Sequence, residues 1–293
     1  MSRDRPTSVI TGREYADAMA QDWMNQPPEA PRSSGIDTSV PSPARMYDFW
    51  LGGKNNFEAD RAAAQAVIDA FPGILPGVQA NRAFLGRAVR FLAGEAGITQ
   101  FLDVGTGLPV ENNTHEVAQA ISPASRVAYI DNDPIVLSHA RALLTSTPEG
   151  ATSYSEADVR EPDTILGLAA ETLDFTEPVA ITLLMILQLV PDSEHPYEIV
   201  SRLMDATAPG SFLVISHPAN DVDEGEIVEA YDRLNQQLPE QATLRDHAQV
   251  TRFFAGLDLV DPGVVQLHRW RPDRHQTDLD VDIPAWAGVG RKP

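Results

Sequence analysis

Three short stretches carry residues of the right types to hold a nucleoside-like ligand. Asp103, Gly105 and Gly107 stand in DVGTGLP, Asp131 and Asn132 in YIDNDP, and Asp158 and Val159 in EADVRE. Each follows a run that reads as a β-strand. Paired glycines allow positive φ and a close approach of backbone to ligand, although a tight strand-to-helix turn uses glycine for the same reason. A dinucleotide fingerprint needs a third glycine where this chain has Val110. Asp103, at the strand end and facing the turn, disfavours a pyrophosphate and suits a ligand with an amino group. Asp131 can accept both hydroxyls of a ribose, a contact that dinucleotide sites share. Asp133 reads as the cap of the next helix. Asp158 can accept an adenine amine while Val159 packs on the ring; a helix cap is its alternative role. A cationic ligand with an amino acid end, a ribose and an adenine, and without pyrophosphate, fits all three. S-adenosylmethionine is the cofactor this predicts.

These residues need a scaffold that presents successive strand ends together. Strands are predicted at Gln100–Val104, Arg126–Asp131, Thr152–Glu156 and Val179–Ile186, with a fifth in APGSFLVISH ending near Ser216. The last strands are read at Val264–Arg269 and Ala285–Arg291. The fourth is apolar throughout, as a strand covered on both faces must be. Helical patterns lie between them, including Ser193–Thr207, Glu224–Gln237 and His247–Ala255. Alternation of this kind predicts an α/β fold with a largely parallel sheet and helices on both faces. Ahead of it, residues 44–97 read as a helical cap, with Ala80, Phe84, Ala88, Phe91 and Leu92 at helical spacing. Residues 1–43, punctuated by prolines, read as a mobile arm with a short helix around Glu14–Trp23. The core is assigned to residues 98–293.

The chain has 293 residues, a formal net charge of −20 and no cysteine. Disulfides, thiolate nucleophiles and cysteine-ligated zinc are therefore excluded, and no metal site is expected. The acidic surface makes nucleic acid and anionic lipid poor partners. No apolar run reaches the length of a membrane span, and the polar N-terminus does not read as a signal peptide. A cytoplasmic protein acting on a small molecule is expected.

ARMYDFWLGGKNNFEADR, ANRAFLGRAVRFL, QFLDVGTGLPVENNTHEVAQ, YIDNDPIVLSHARALL, RLMDATAPGSFLVISH, VTRFFAGLDLVDPGVVQLHRWRPD and the terminal GVGRKP resemble the actinobacterial S-adenosylmethionine-dependent methyltransferase family. The family was formerly a domain of unknown function. The resemblance runs from about Pro41 to Pro293. It implies a class I methyltransferase fold: a seven-stranded, Rossmann-like sheet with its last strand antiparallel, under an N-terminal helical cap. It implies the cofactor more firmly than any acceptor. Where it leads one to expect histidine after the fourth strand, the chain reads LMILQLVPD, with Gln188. Gln188 is counted among the cofactor-binding residues, since glutamine can hydrogen-bond but cannot take a proton at neutral pH.

The catalytic candidates are accordingly few. His217 follows the fifth strand, and a histidine satisfied by its own loop is the alternative. Tyr47 would touch substrate if the cap closes over the cofactor. Arg82 is preferred to Lys54 as partner of the cofactor carboxylate, because its fork matches a carboxylate; a solvated charge is the alternative. Asn113 is within reach of the cofactor, whereas His115 reads as fixing helix to loop. HRWRPD near 268–273 reads as a surface turn. Two other functions stay open: a cofactor-binding regulator without catalysis and a nicotinamide-dependent oxidoreductase, the latter disfavoured by Val110 and Asp103.

Overall fold

A computed structural model describes residues 37–143, 145–222, 225–236, 241–273 and 282–293. The expected arm through residue 36, with its short helix, lies outside them. Residues Thr38–Pro293 form one compact unit.

Helices come first, at α1 (Pro43–Trp50), α2 (Glu58–Ala70) and α3 (Ile74–Gly94). Strands and helices then alternate: β1 (Gln100–Val104), α4 (Thr114–Ile121), β2 (Arg126–Asp131), α5 (Pro134–Leu143), β3 (Ala151–Glu156), α6 (Pro162–Ala169), β4 (Ala180–Leu184), α7 (Pro196–Asp205) and β5 (Phe212–Pro218). The chain continues through α8 (Glu226–Asn235), α9 (His247–Arg252), β6 (Asp258–Leu259), β7 (Val265–Gln266) and β8 (Ala285–Arg291). Strand order is β3-β2-β1-β4-β5-β8-β6, with β7 also paired to β8. The first five strands are parallel, and β8 runs antiparallel to β5.

Side chains alternate across these strands, so each face has its own core. Leu102, Ile130, Ile181, Leu213 and Ile215 face α6, α7 and α9, while Phe101, Val127, Tyr129, Phe212 and Val214 face α3 and α4. All ten are buried, each full burial being worth about 1.5–3 kcal/mol.

The sheet has eight strands rather than seven, because two short ones, β6 and β7, pair with β8. The strand expected through Arg269 stops at Gln266. From there the Leu267 and Trp270 carbonyls turn to accept from Arg87 on α3, at 2.7 and 2.9 Å. HRWRPD is a surface turn only in part: Arg269, Pro272 and Asp273 are exposed, whereas Trp270 is fully buried, edge-on to Phe84 at 5.4 Å between centroids. Strand β4 ends at Leu184 because Met185 takes a left-handed φ of 51°. Helix α7 begins at Pro196 rather than Ser193, since His195 is also left-handed, with φ 55°.

The cap draws on more than residues 44–97. Leu234 of α8 packs with Met46, Ala63, Ala64 and Val67, and Ile227 and Ala230 pack with Phe71. Arg45 and Asp60 form a buried ion pair at 2.9 Å inside it. The LGGKNNF loop turns around Asp48, whose Oδ2 accepts from Asn55 N and Asn56 Nδ2 at 2.9 and 2.7 Å. A Cβ on Gly53 would stand 2.0 Å from Asp48 Oδ1. Gly53→Ala is expected to cost about 1–3 kcal/mol through overpacking, read as a lower urea midpoint. An unchanged midpoint would show that the loop repacks freely.

Candidate active site

Strand order reverses between β1 and β4. In open α/β sheets such a switch point, at the carboxyl ends of the strands, is where ligands bind. The turn after β1 and the turn after β4 meet there. Gly105 and Gly107 have φ of 74° and 66°. A Cβ at Gly105 would lie 2.7 Å from Ile186 of the facing turn, so only glycine fits.

The glycine turn hangs on the end of β2. Gly105 N donates to Ile130 O at 2.8 Å, and Gly107 N donates to Asp131 Oδ2 at 2.8 Å. The other oxygen, Asp131 Oδ1, accepts from Asp133 N at 2.9 Å. Burial pushes the Asp131 carboxyl up to about 6 against the pull of these two bonds. Asp133 caps α5 through Ile135 N at 2.8 Å. It also accepts from Ser42 Oγ at 2.9 Å, which ties the entry to α1 to this edge.

Asn132 reaches across to the end of β3, donating to Asp158 Oδ2 at 3.1 Å. Partial burial alone would raise the Asp158 pKa. The backbone N–H of Arg160, the Asn132 amide and the Arg160 guanidinium, at 3.1 Å, together hold it below the ordinary carboxylate range. Val159 is buried and belongs to the core on the α6 side. Asp131, Asn132 and Asp158 thus form one acidic rim on adjacent strands, with both glycines beside it.

Other expected residues are differently placed. Asp103 is buried and already held on both carboxylate oxygens. Its oxygens accept from Thr114 Oγ1 at 2.6 Å and Thr182 Oγ1 at 2.9 Å, binding β1 to α4 and β4. Burial raises its pKa, against the pull of the two threonines. Asn113 begins α4: its N–H donates to Glu116 Oε2 at 2.7 Å, and its amide bonds back to Val110. Arg82 Nη2 donates to the Glu111 and Asn112 carbonyls at 3.1 and 3.0 Å, so one nitrogen of its fork braces the loop after Gly107. His115 fixes helix to strand, its Nδ1 lying 2.8 Å from the Tyr129 hydroxyl.

His217 is not available as a base. Its ring is fully buried on the α9 side of β5. Nδ1 lies 2.8 Å from Pro218 O, which only accepts, and Nε2 lies 2.8 Å from Arg245 Nη1, which only donates. The ring is therefore a neutral Nδ1–H tautomer, and burial and then Arg245 push its pKa down to about 3. Tyr47 belongs to a chain in which Ser216 Oγ donates to Asn81 Oδ1 at 2.7 Å and Asn81 Nδ2 donates to the Tyr47 hydroxyl at 2.9 Å. That hydroxyl donates onward to Val78 O at 3.2 Å. Burial raises its pKa, so it keeps its proton at neutral pH.

Sequence reasoning missed Arg245, which is fully buried and uses all five of its N–H donors. They go to Leu187 O, His217 Nε2, Val190 O and twice to Asp192 Oδ1, at 2.7–3.2 Å. Thr243 N takes Gln188 O at 2.7 Å, and Arg160 Nη2 takes Leu189 O at 2.8 Å. Four consecutive carbonyls after β4 are thereby fixed from outside the turn. A lone arginine in ATLRDHAQV carries no local pattern that could have revealed this.

No curated protein matches the sequence. Among solved structures, a DUF574 family protein of Streptomyces avermitilis MA-4680 is 42% identical, with TM-score 0.85 over 88% of this chain and 99% of that one. A candidate methyltransferase of Thermobifida fusca YX is 41% identical, with TM-score 0.80 over 90% of this chain and 99% of that one. The model of the S-adenosyl methyltransferase family matches residues 29–293. With the glycine turn and acidic rim at the switch point of a sheet of this order, the chain belongs to that family and is an S-adenosylmethionine-dependent methyltransferase.

Proposed function

We propose that the acidic rim holds the adenosyl part of the cofactor and that the acceptor is a small molecule, bound where the cap meets the crevice. The carrying observation is Asp131, a buried carboxylate that accepts only two backbone N–H groups and sits at the end of β2. It has lone pairs left for two ribose hydroxyls. Asp158, one strand further out, and Asn132, which donates to it, lie on the adenine side. The methionyl end then runs toward the glycine turn and β4, with the free donors of Arg82 nearest its carboxylate. Bound there, S-adenosylmethionine supplies an electrophilic methyl group on a sulfonium.

The protein's own contribution is orientation, since alignment of reactants can supply roughly 7–11 kcal/mol. The fixed carbonyls after β4, and Asp103 held on each oxygen by a threonine, give the crevice rigid walls. Nucleic acid is disfavoured as acceptor by the net charge of −20. Among the described residues no helix is long and apolar enough to cross a membrane, and together with the absence of cysteine this supports a cytoplasmic setting. The test is transfer of labelled methyl from S-adenosylmethionine into a fractionated cell extract. Label in the small-molecule filtrate is expected. Label confined to retained protein or nucleic acid would refute the small-molecule reading.

A further inference from the structure

The turn after β4 is built to hold one side chain still. Leu187, Gln188, Leu189 and Val190 each have their carbonyl captured by a donor from outside the turn. Within it, Gln188 Nε2 donates to Met185 O at 2.7 Å. A carbonyl can only accept, so the amide must present its NH₂ there, and this sets the direction of its oxygen. Among the described residues that oxygen, Oε1, is buried and has no hydrogen-bond partner. A buried acceptor without a donor is a standing cost, and the half-buried side chain that carries it lies two residues from Ile186, which touches the glycine turn. The proposed site runs from adenine at β3 through ribose at β2, so its methyl end lies toward β4.

We infer that Gln188 Oε1 accepts a hydrogen bond from the methyl-accepting atom, and that this atom is the nitrogen of a neutral amine. This rests on the small-molecule reading above. A hydroxyl must shed its proton before or during attack and so needs a base. Gln188 cannot take a proton, His217 is enclosed with both nitrogens engaged, and the Tyr47 hydroxyl donates to a carbonyl. An amine that is already neutral at pH 7, as an aromatic amine is, needs no base. Its lone pair forms the N–C bond while the methyl's bond to sulfur breaks and that electron pair stays on sulfur. Positive charge passes from sulfur to nitrogen, and the proton leaves afterwards to water. As the charge grows, the N–H donated to Oε1 becomes charge-assisted and strengthens, which favours the transition state over the ground state.

The probes are aminophenols with an aromatic amine, each offering an amine that is neutral at pH 7 and a phenol, with S-adenosylmethionine binding measured alongside by titration calorimetry. N-methyl products identified by mass spectrometry are expected. Gln188→Met should reduce turnover at least tenfold and weaken binding of the amine to the protein saturated with S-adenosylhomocysteine, while cofactor affinity is unchanged. Gln188→Glu keeps an acceptor oxygen but gives up the donor to Met185 O, so it should recover only part of each loss. O-methyl products would overturn the amine inference and leave the small-molecule reading standing. No product with intact cofactor binding would count against both. Full amine turnover in Gln188→Met would remove Gln188 from the reaction.

Discussion

Replacing Arg245 by methionine should lower the unfolding free energy by about 3–5 kcal/mol, the range for breaking a buried charged network from one side. The reason is what stays behind. Leu187 O, Val190 O and His217 Nε2 would lose their donors in a region closed to water, and each such loss carries about 1–3 kcal/mol. Asp192 contributes less, because its side chain is 57% exposed and can return to solvent. In a domain of this size the loss should appear as a thermal midpoint lower by on the order of 10 °C. Arg245→Lys should recover only part of it, since one ammonium has three donors and no fork. Combining Arg245→Met with His217→Leu should cost less than the sum of the two, because the second change removes an acceptor that the first has orphaned. A loss below about 1 kcal/mol for Arg245→Met would show that the turn after β4 does not depend on the clamp.

That clamp marks where the sequence stopped being informative. The strands β1, β2 and β8 stand at the residues read from the sequence, because apolar runs bounded by turn residues carry their own signal. The glycine pair and Asp131 stand at the switch point, at the strand ends where the sequence put them. The position of Asp103 at a strand end was legible, and its partners were not. The local pattern DVGTG cannot show that Thr182, on a neighbouring strand, takes one of its oxygens. His217 failed through strand parity: successive residues face opposite sides, so Ser216 reaches Asn81 on the α3 side while His217 points at Arg245. Its partner arrives from a separate segment, near Thr243, and no spacing within VISHP announces it. The share of α8 in the cap was hidden for the same reason, since an amphipathic helix does not name the surface it will cover.

Asp131→Ala should weaken S-adenosylmethionine binding by about 1.5–3 kcal/mol, the worth of hydrogen bonds to a charged acceptor, which is roughly a 10- to 150-fold rise in Kd. The same carboxylate makes affinity depend on pH in a defined direction. Burial raises its pKa to about 6, so in the free protein it is largely protonated below that value. Ribose hydroxyls donate to the charged form and favour it. Cofactor binding must therefore draw the pKa down and release a proton, and affinity should fall about tenfold per pH unit below about 6 and level off above it. Stability is the wrong readout for this group. A raised carboxylate pKa stabilises the fold fully below the ordinary aspartate value and loses that contribution as pH rises through about 6. His217, lowered to about 3, contributes in the opposite sense, present above the ordinary histidine value and lost as pH falls toward 3. The two overlap between about pH 4 and 6 and oppose one another, so a melting curve would mix them, whereas of the two only Asp131 belongs to the proposed ribose site. Calorimetric titrations at pH 5, 6 and 7, in buffers of different ionisation enthalpy, should show the released proton directly. Asp131→Asn should abolish both the release and the pH dependence. A wild-type affinity that stays flat from pH 5 to 7 would take Asp131 out of the ribose site.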